Sequence, residues 1–263
     1  MRRATAAFSI MLVTALVVSS CATACGCTTL VTILTASSLA NPVEAFAEAF
    51  PPTYGAGVVV NVSTGSSAAL RTQIEQGARA DVFLSADTTN PQALVDAGLT
   101  DGPARSFATN LLTIVVPEGN PGGLTSPADL ARRDVTIVGA GEEVPITQYA
   151  AQLVNQLAAL PGYPPDFAAA YEANIATRED NVGAVTAKIK LGEGDAAVVY
   201  ATDAKAAGLQ SIAIPSGANV VATYSGVVLK DSPSPHAAQA LLDWIWRRNG
   251  QQILASYGFQ PAP

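Results

Sequence analysis

Four serines stand in two adjacent pairs, Ser37-Ser38 in LVTILTASSLANPVEAF and Ser66-Ser67 in VVVNVSTGSSAALRTQIEQG, about thirty residues apart. In each stretch an apolar, strand-like run stops at the hydroxyls and a helix-like pattern begins. A serine at such a junction can simply cap the helix by accepting one of its free N–H groups. That account suffices for one junction. Its recurrence points to a shared site, because open α/β sheets bind ligands beyond the carboxyl ends of their strands, where helix N-termini turn N–H groups into a crevice. The chemistry offered is hydrogen-bond donation to an anion.

Serines at strand-to-helix turns also serve as nucleophiles. Against a serine hydrolase, the chain has no Gly-x-Ser-x-Gly and no Ser-x-x-Lys, and its one histidine, His236, lies in the polar SPSPH start of the last helical segment. A binder rather than an enzyme is expected. The three cysteines, Cys21, Cys25 and Cys27, all fall in CATACGC, and a Cys-x-Cys spacing with no other soft ligand nearby is weak ground for a metal site or a disulfide.

The elements that must position the serines follow an α/β pattern of short apolar runs alternating with amphipathic ones, for which mostly parallel strands are expected. Strands are predicted at 30–34, 57–62, 82–84, 111–116, 135–138, 196–200, 212–214 and 222–229. Helices are predicted at 42–50, 67–76, 91–97, 128–131, 147–159, 166–174, 183–191 and 235–257, the last with a break near Asn249. Asn41-Pro42 supplies a cap and a first-turn proline, while Gly77 and Gly98 can take the left-handed conformation that ends a helix. No internal repeat or Gly/Ser tether divides the chain.

With 263 residues, 49% of them hydrophobic, the chain can bury a sizeable core. Its net charge of −7 and lack of a basic run exclude nucleic acid as a partner. At the N-terminus, Arg2 and Arg3 precede the apolar stretch Phe8 to Val18, as in an export signal, and VVSSC resembles a lipobox whose Cys21 would be acylated and become the mature N-terminus. Residues 1–27 are therefore expected to be signal and tether. The protein is expected outside the cytoplasm, periplasmic or at the cell surface, held to the membrane by lipid.

Taken together, ILTASSL, STGSSAALRTQIEQGARADVFLSAD, NLLTIVVP, VPITQYA, AAVVYATDA and ILASYGF resemble the bacterial molybdate-binding proteins of ABC uptake systems, over essentially the whole chain after Cys27. The resemblance implies a two-lobed, type II periplasmic-binding-protein fold, with a central mixed sheet in each lobe and a ligand cleft between them. Residues 28–110 plus 224–263 would form one lobe and 111–223 the other, with hinges near Asn110 and Thr223. It further implies an oxyanion, molybdate or tungstate, held without charged side chains. Carried over position by position, the ligands would be the hydroxyls of Ser38 and Ser67, the backbone amides of Ile146 and Val182, and the hydroxyl of Tyr200. Ser37, Ser66 and Thr147 would be auxiliary. No cofactor is implied; the partners would be an ABC permease and its ATPase, and the carrier a monomer.

A cage made of donors alone suits a fully deprotonated dianion and rejects one that keeps a proton, such as hydrogen phosphate, because that proton finds no acceptor. The alternative is the same fold binding another oxyanion, such as sulfate, or a small carboxylate. None of the matched positions is an arginine able to clamp a carboxylate bidentately.

Overall fold

The computed structural model describes residues 28–55 and 57–263. The expected signal and tether, with Cys21, Cys25 and Cys27, lie outside the described residues. The chain begins with β1 (Thr29–Ala36), then α1 (Ala40–Ala49) and the short α2 (Pro51–Tyr54), and returns as β2 (Val58–Gly65). Next come α3 (Ser67–Glu75), β3 (Val82–Ser85), α4 (Thr89–Asp96) and a long strand, β4 (Arg105–Val116). The middle of the chain holds β5 (Ile137–Ala140), α5 (Pro145–Ala158), α6 (Phe167–Ala173), β6 (Ile175–Glu179), α7 (Val182–Leu191), β7 (Ala197–Tyr200), α8 (Ala201–Ala207) and β8 (Gln210–Ile212). The last elements are β9 (Val221–Val228), α9 (Pro235–Trp246), α10 (Arg248–Tyr257) and β10 (Gln260–Pro261).

β1 lies between β2 and β3 and is parallel to both, while β9 pairs with the far side of β3. β4 belongs to two groups of strands at once. Its first half, Arg105 to Leu111, pairs with β9 and with β10; its second half, Leu112 to Val116, pairs with β7 and β8. β5 and β6 form a separate parallel pair, which a single bridge from Ile137 to Ala196 joins to the start of β7.

The expectation of mostly parallel strands is corrected here. Among the described residues the parallel strand pairs are β1–β2, β1–β3 and β5–β6, with the single Ile137–Ala196 bridge also parallel, and every pair made by β4 or β9 is antiparallel. The reason is connectivity: β4 and β9 carry the chain between the two groups instead of closing a right-handed crossover within one of them.

Burial follows from these pairings. β1 contributes Val31 and Ile33, both fully buried, and α1 with the residue that ends it lays Phe46 and Phe50 edge-on against Trp244 of α9 at 5.7 and 5.9 Å between ring centroids. A smaller cluster joins α3 and α4 to the other face through Leu70, Ile74, Phe83 and Leu94. Side chains of this size each stabilise the fold by about 1.5–3 kcal/mol when fully buried. Among the described residues no helix is long and apolar enough to cross a membrane.

Candidate functional site

The register of β1 on β2 brings the two serine pairs together. Ala36 and Gly65 are partners at the C-terminal ends of these strands, so Ser37 and Ser66 leave the sheet side by side. Ser37 opens a 3-10 turn, Ser37–Leu39, that runs into α1. Ser66 caps α3, its Oγ accepting the Ala69 N–H at 3.2 Å. Ser67, the first residue of α3 and 1% exposed, accepts the Ala86 N–H at 3.0 Å from the end of β3. Ser38 accepts the Tyr224 O–H at 3.2 Å, and Ser37 accepts the Gly183 N–H at 3.3 Å. Each oxygen thus takes a hydrogen bond from the scaffold. Among the described residues none of these four hydroxyls donates one, so each keeps its proton for a guest.

The opposite wall is made by α5, α7 and β7. Val144 precedes α5, and Pro145 at its first position has no N–H, so Ile146 presents the first free amide of that helix. Asn181 caps α7 by accepting the Ala184 N–H at 3.0 Å, which leaves the Val182 amide free at the start of the helix. Tyr200 ends β7 with its ring edge-on to Tyr149 and Tyr224, at 6.2 and 5.6 Å between centroids. Its hydroxyl is buried without a partner among the described residues. Burial, reinforced by Tyr224, Tyr149 and the carboxylates of Asp203 and Asp87, pushes this phenol well above its ordinary pKa, so it keeps its proton as a donor.

Ser37, Ser38, Ser66, Ser67, Ile146, Val182 and Tyr200 surround one small, tightly closed cavity, completed by Ala36, Gly65, Ala86, Val144 and Pro145. No charged side chain lines it among the described residues. Helix N-termini are gathered at it: α1 through the preceding turn, α3, α5 and α7 all begin at its wall. At roughly +0.5 charge each, four such ends match a doubly negative guest in order of magnitude.

Thr147, the remaining expected auxiliary, is not at this wall. Its hydroxyl donates to the carbonyls of Ala140 and Gly141 at 3.0 and 2.8 Å, and the side chain lines a different cavity, between α5 and α6. Arg178 is also turned elsewhere, pairing with Glu172 and donating to the Ala140 carbonyl. Residues that hold the site from behind were not singled out as such: Tyr224, Asn110, Asn181 and Gly183. The available signal was a polar side chain inside an apolar strand, as with Tyr224 in VATYSGVVL.

Residues 31–260 match the family described as bacterial extracellular solute-binding protein. The molybdate-binding protein ModA of Mycobacterium tuberculosis is 34% identical over 205 residues, which is 77% of this chain and 74% of that one. Among solved structures, the periplasmic molybdate-binding protein of Azotobacter vinelandii superposes with a TM-score of 0.74 at 21% identity, covering 89% of this chain and all of that one. The sulfate-binding protein SubI of Mycobacterium tuberculosis superposes with a TM-score of 0.79 at 21% identity, covering 89% and 87%. At these identities the two structures speak for the fold alone, the two-lobed type II fold of periplasmic binding proteins.

Proposed function

Since the chain belongs to the bacterial extracellular solute-binding proteins, which serve ABC importers and are not enzymes, we propose that its solute is molybdate or tungstate. The observation that carries this reading is the buried Tyr200 hydroxyl, without a partner among the described residues, in a small cavity that the four serines also line and that has no charged lining among those residues. Burying a dianion without partners would cost tens of kcal/mol, so donors must saturate it. This site offers Ser38, Ser67, Tyr200 and the amides of Ile146 and Val182, with Ser37 and Ser66 beside them.

In this proposal residues 28–110 plus 224–263 form one lobe and 111–223 the other, meeting where β4 changes partners. Ser38 and Ser67 then face Ile146, Val182 and Tyr200 from opposite lobes. An anion touching both favours the closed arrangement through its differential contacts, and closure is what an ABC permease and its ATPase can sense. Acylation of Cys21 would keep the exported monomer at the membrane.

Calorimetric titration of the mature chain with molybdate, tungstate, sulfate and hydrogen phosphate tests the reading. Tight binding of the two larger anions, with sulfate weaker and phosphate weakest, is expected. Sulfate is as fully deprotonated as molybdate, so it must be discriminated by size, its hydrogen bonds being stretched. Preference for sulfate or for a carboxylate would overturn the choice of solute.

A further inference from the structure

Three of the four serines at the cavity have their oxygen supplied by a backbone N–H: Ser37 by Gly183, Ser66 by Ala69 and Ser67 by Ala86. Ser38 differs, because its supplier is a side chain, the phenol of Tyr224. We propose that Tyr224, backed by Asn110, is a specificity-determining positioning residue that aims the Ser38 proton into the cavity and so makes the site discriminate against anions that carry a proton. The proposal rests on the oxyanion reading above.

The direction of the chain of hydrogen bonds follows from its members. The Asn110 side-chain amide is a donor, and it stands 3.4 Å from the Tyr224 hydroxyl and 2.8 Å from Thr202 Oγ1. The Tyr224 oxygen therefore accepts, and its own proton goes to Ser38. A phenol is also a stronger acid than an aliphatic alcohol, so between Tyr224 and Ser38 the phenolic proton is the one shared. The Ser38 proton is then left to point at the guest. Tyr224 cannot readily turn away: it is fully buried, with its ring edge-on to Phe107, Tyr200 and Phe259 at 6.4, 5.6 and 5.2 Å between centroids.

The consequence is selectivity. To accept a proton from hydrogen phosphate, Ser38 would have to turn its own O–H away from the guest. That proton would find no acceptor, since the nearby phenolic oxygen is supplied by Asn110 and directs its own proton at Ser38. Removing the phenolic hydroxyl lifts this constraint: a water in its place, or the Asn110 amide turned about, can take the Ser38 proton. Asn110 and Tyr224 lie on β4 and β9, and Thr202 on α8, so the device sits where the chain passes between the two groups of strands.

The test compares sulfate with hydrogen phosphate above neutral pH, two tetrahedral dianions that differ by a proton. Tyr224→Phe keeps the ring packing, and it is expected to weaken molybdate and sulfate by about tenfold while phosphate holds or tightens, narrowing the sulfate-to-phosphate ratio by at least about tenfold. In a Ser38→Ala background, Tyr224→Phe is expected to leave that ratio unmoved, because the group it aims is gone. Asn110→Asp supplies an acceptor behind Tyr224 and should narrow the ratio as well. Equal weakening of both anions by Tyr224→Phe, or the same change with Ser38 absent, overturns the proposal and leaves molybdate binding by the natural chain standing. A natural chain that binds none of these anions overturns both.

Discussion

A buried hydroxyl donates to a guest dependably when its oxygen is already supplied from behind, and Ser67 meets that condition with least exposure. Charge-assisted hydrogen bonds contribute about 1.5–3 kcal/mol, so Ser67→Ala should weaken molybdate binding by about ten- to a hundredfold in a calorimetric titration. An unchanged affinity would mean the anion sits elsewhere. Asp203 gives a second prediction. Its Oδ2 is sealed from water with no partner among the described residues, although the residue as a whole is only half-buried, and burial pushes its carboxyl from 3.8 up to about 7. Between those values the native chain holds a proton that the unfolded chain has released. The stability this contributes is complete below 3.8, declines as pH rises through the window and is lost above about 7. Asp203→Asn cannot titrate, so its melting temperature should exceed that of the natural chain on the alkaline side and converge with it on the acid side. Parallel melting profiles would show that the carboxyl reaches water or a partner. At this scale the serine pairs were legible because each is a local strand-to-helix junction. Tyr224, Asn110 and Gly183 were not, since a residue that supports Ser37 or Ser38 from far along the chain leaves no mark in its own neighbourhood.

Elements bring these residues to one place, and α7 depends most visibly on a single side chain. Asn181 satisfies the Ala184 N–H, and the turn it closes presents the amides of Val182 and Gly183. Asn181→Ala should cost about 1 kcal/mol of stability in urea. Because the fraying falls on the turn that faces the guest, affinity should drop by a similar free energy, roughly fivefold. Lost stability with unmoved affinity would remove α7 from the site. Most elements were readable from apolar periodicity, and the failures have physical causes. β6, IATRE, buries none of its residues fully and ends in two charged ones, and its partner β5 lies far back in sequence. The first half of β4, RSFATN, reads as polar, yet Thr109 and Asn110 are buried because β9 and β10 flank them. The helical run over 235–257 is broken, as expected, near Asn249: its two helices meet at Arg247. There the chain turns back so closely that a Cβ on Gly250 would lie 2.5 Å from the Ile245 Cα, an approach only glycine allows.

For the whole molecule the question is how a chain of net charge −7 would capture the doubly negative solute proposed for it. Like charges repel at long range, and screening over about 8 Å in physiological salt limits that repulsion without reversing it. The attraction is short-ranged, coming from helix ends and hydroxyls that act only once the guest is inside. Two measurements follow. Saturation at about a hundred times Kd should stabilise the closed form by about 2.7 kcal/mol, which for a chain of this size is a rise of roughly 5–10 °C in melting temperature. Capture in stopped flow should become faster, or stay level, as ionic strength rises, because salt weakens repulsion between the molecule and its solute. A cleft lined with lysine or arginine would do the reverse, since salt would screen an attraction that steers the anion inward. A rate that falls steeply with added salt would therefore reveal a cationic entrance and contradict a site built from neutral donors.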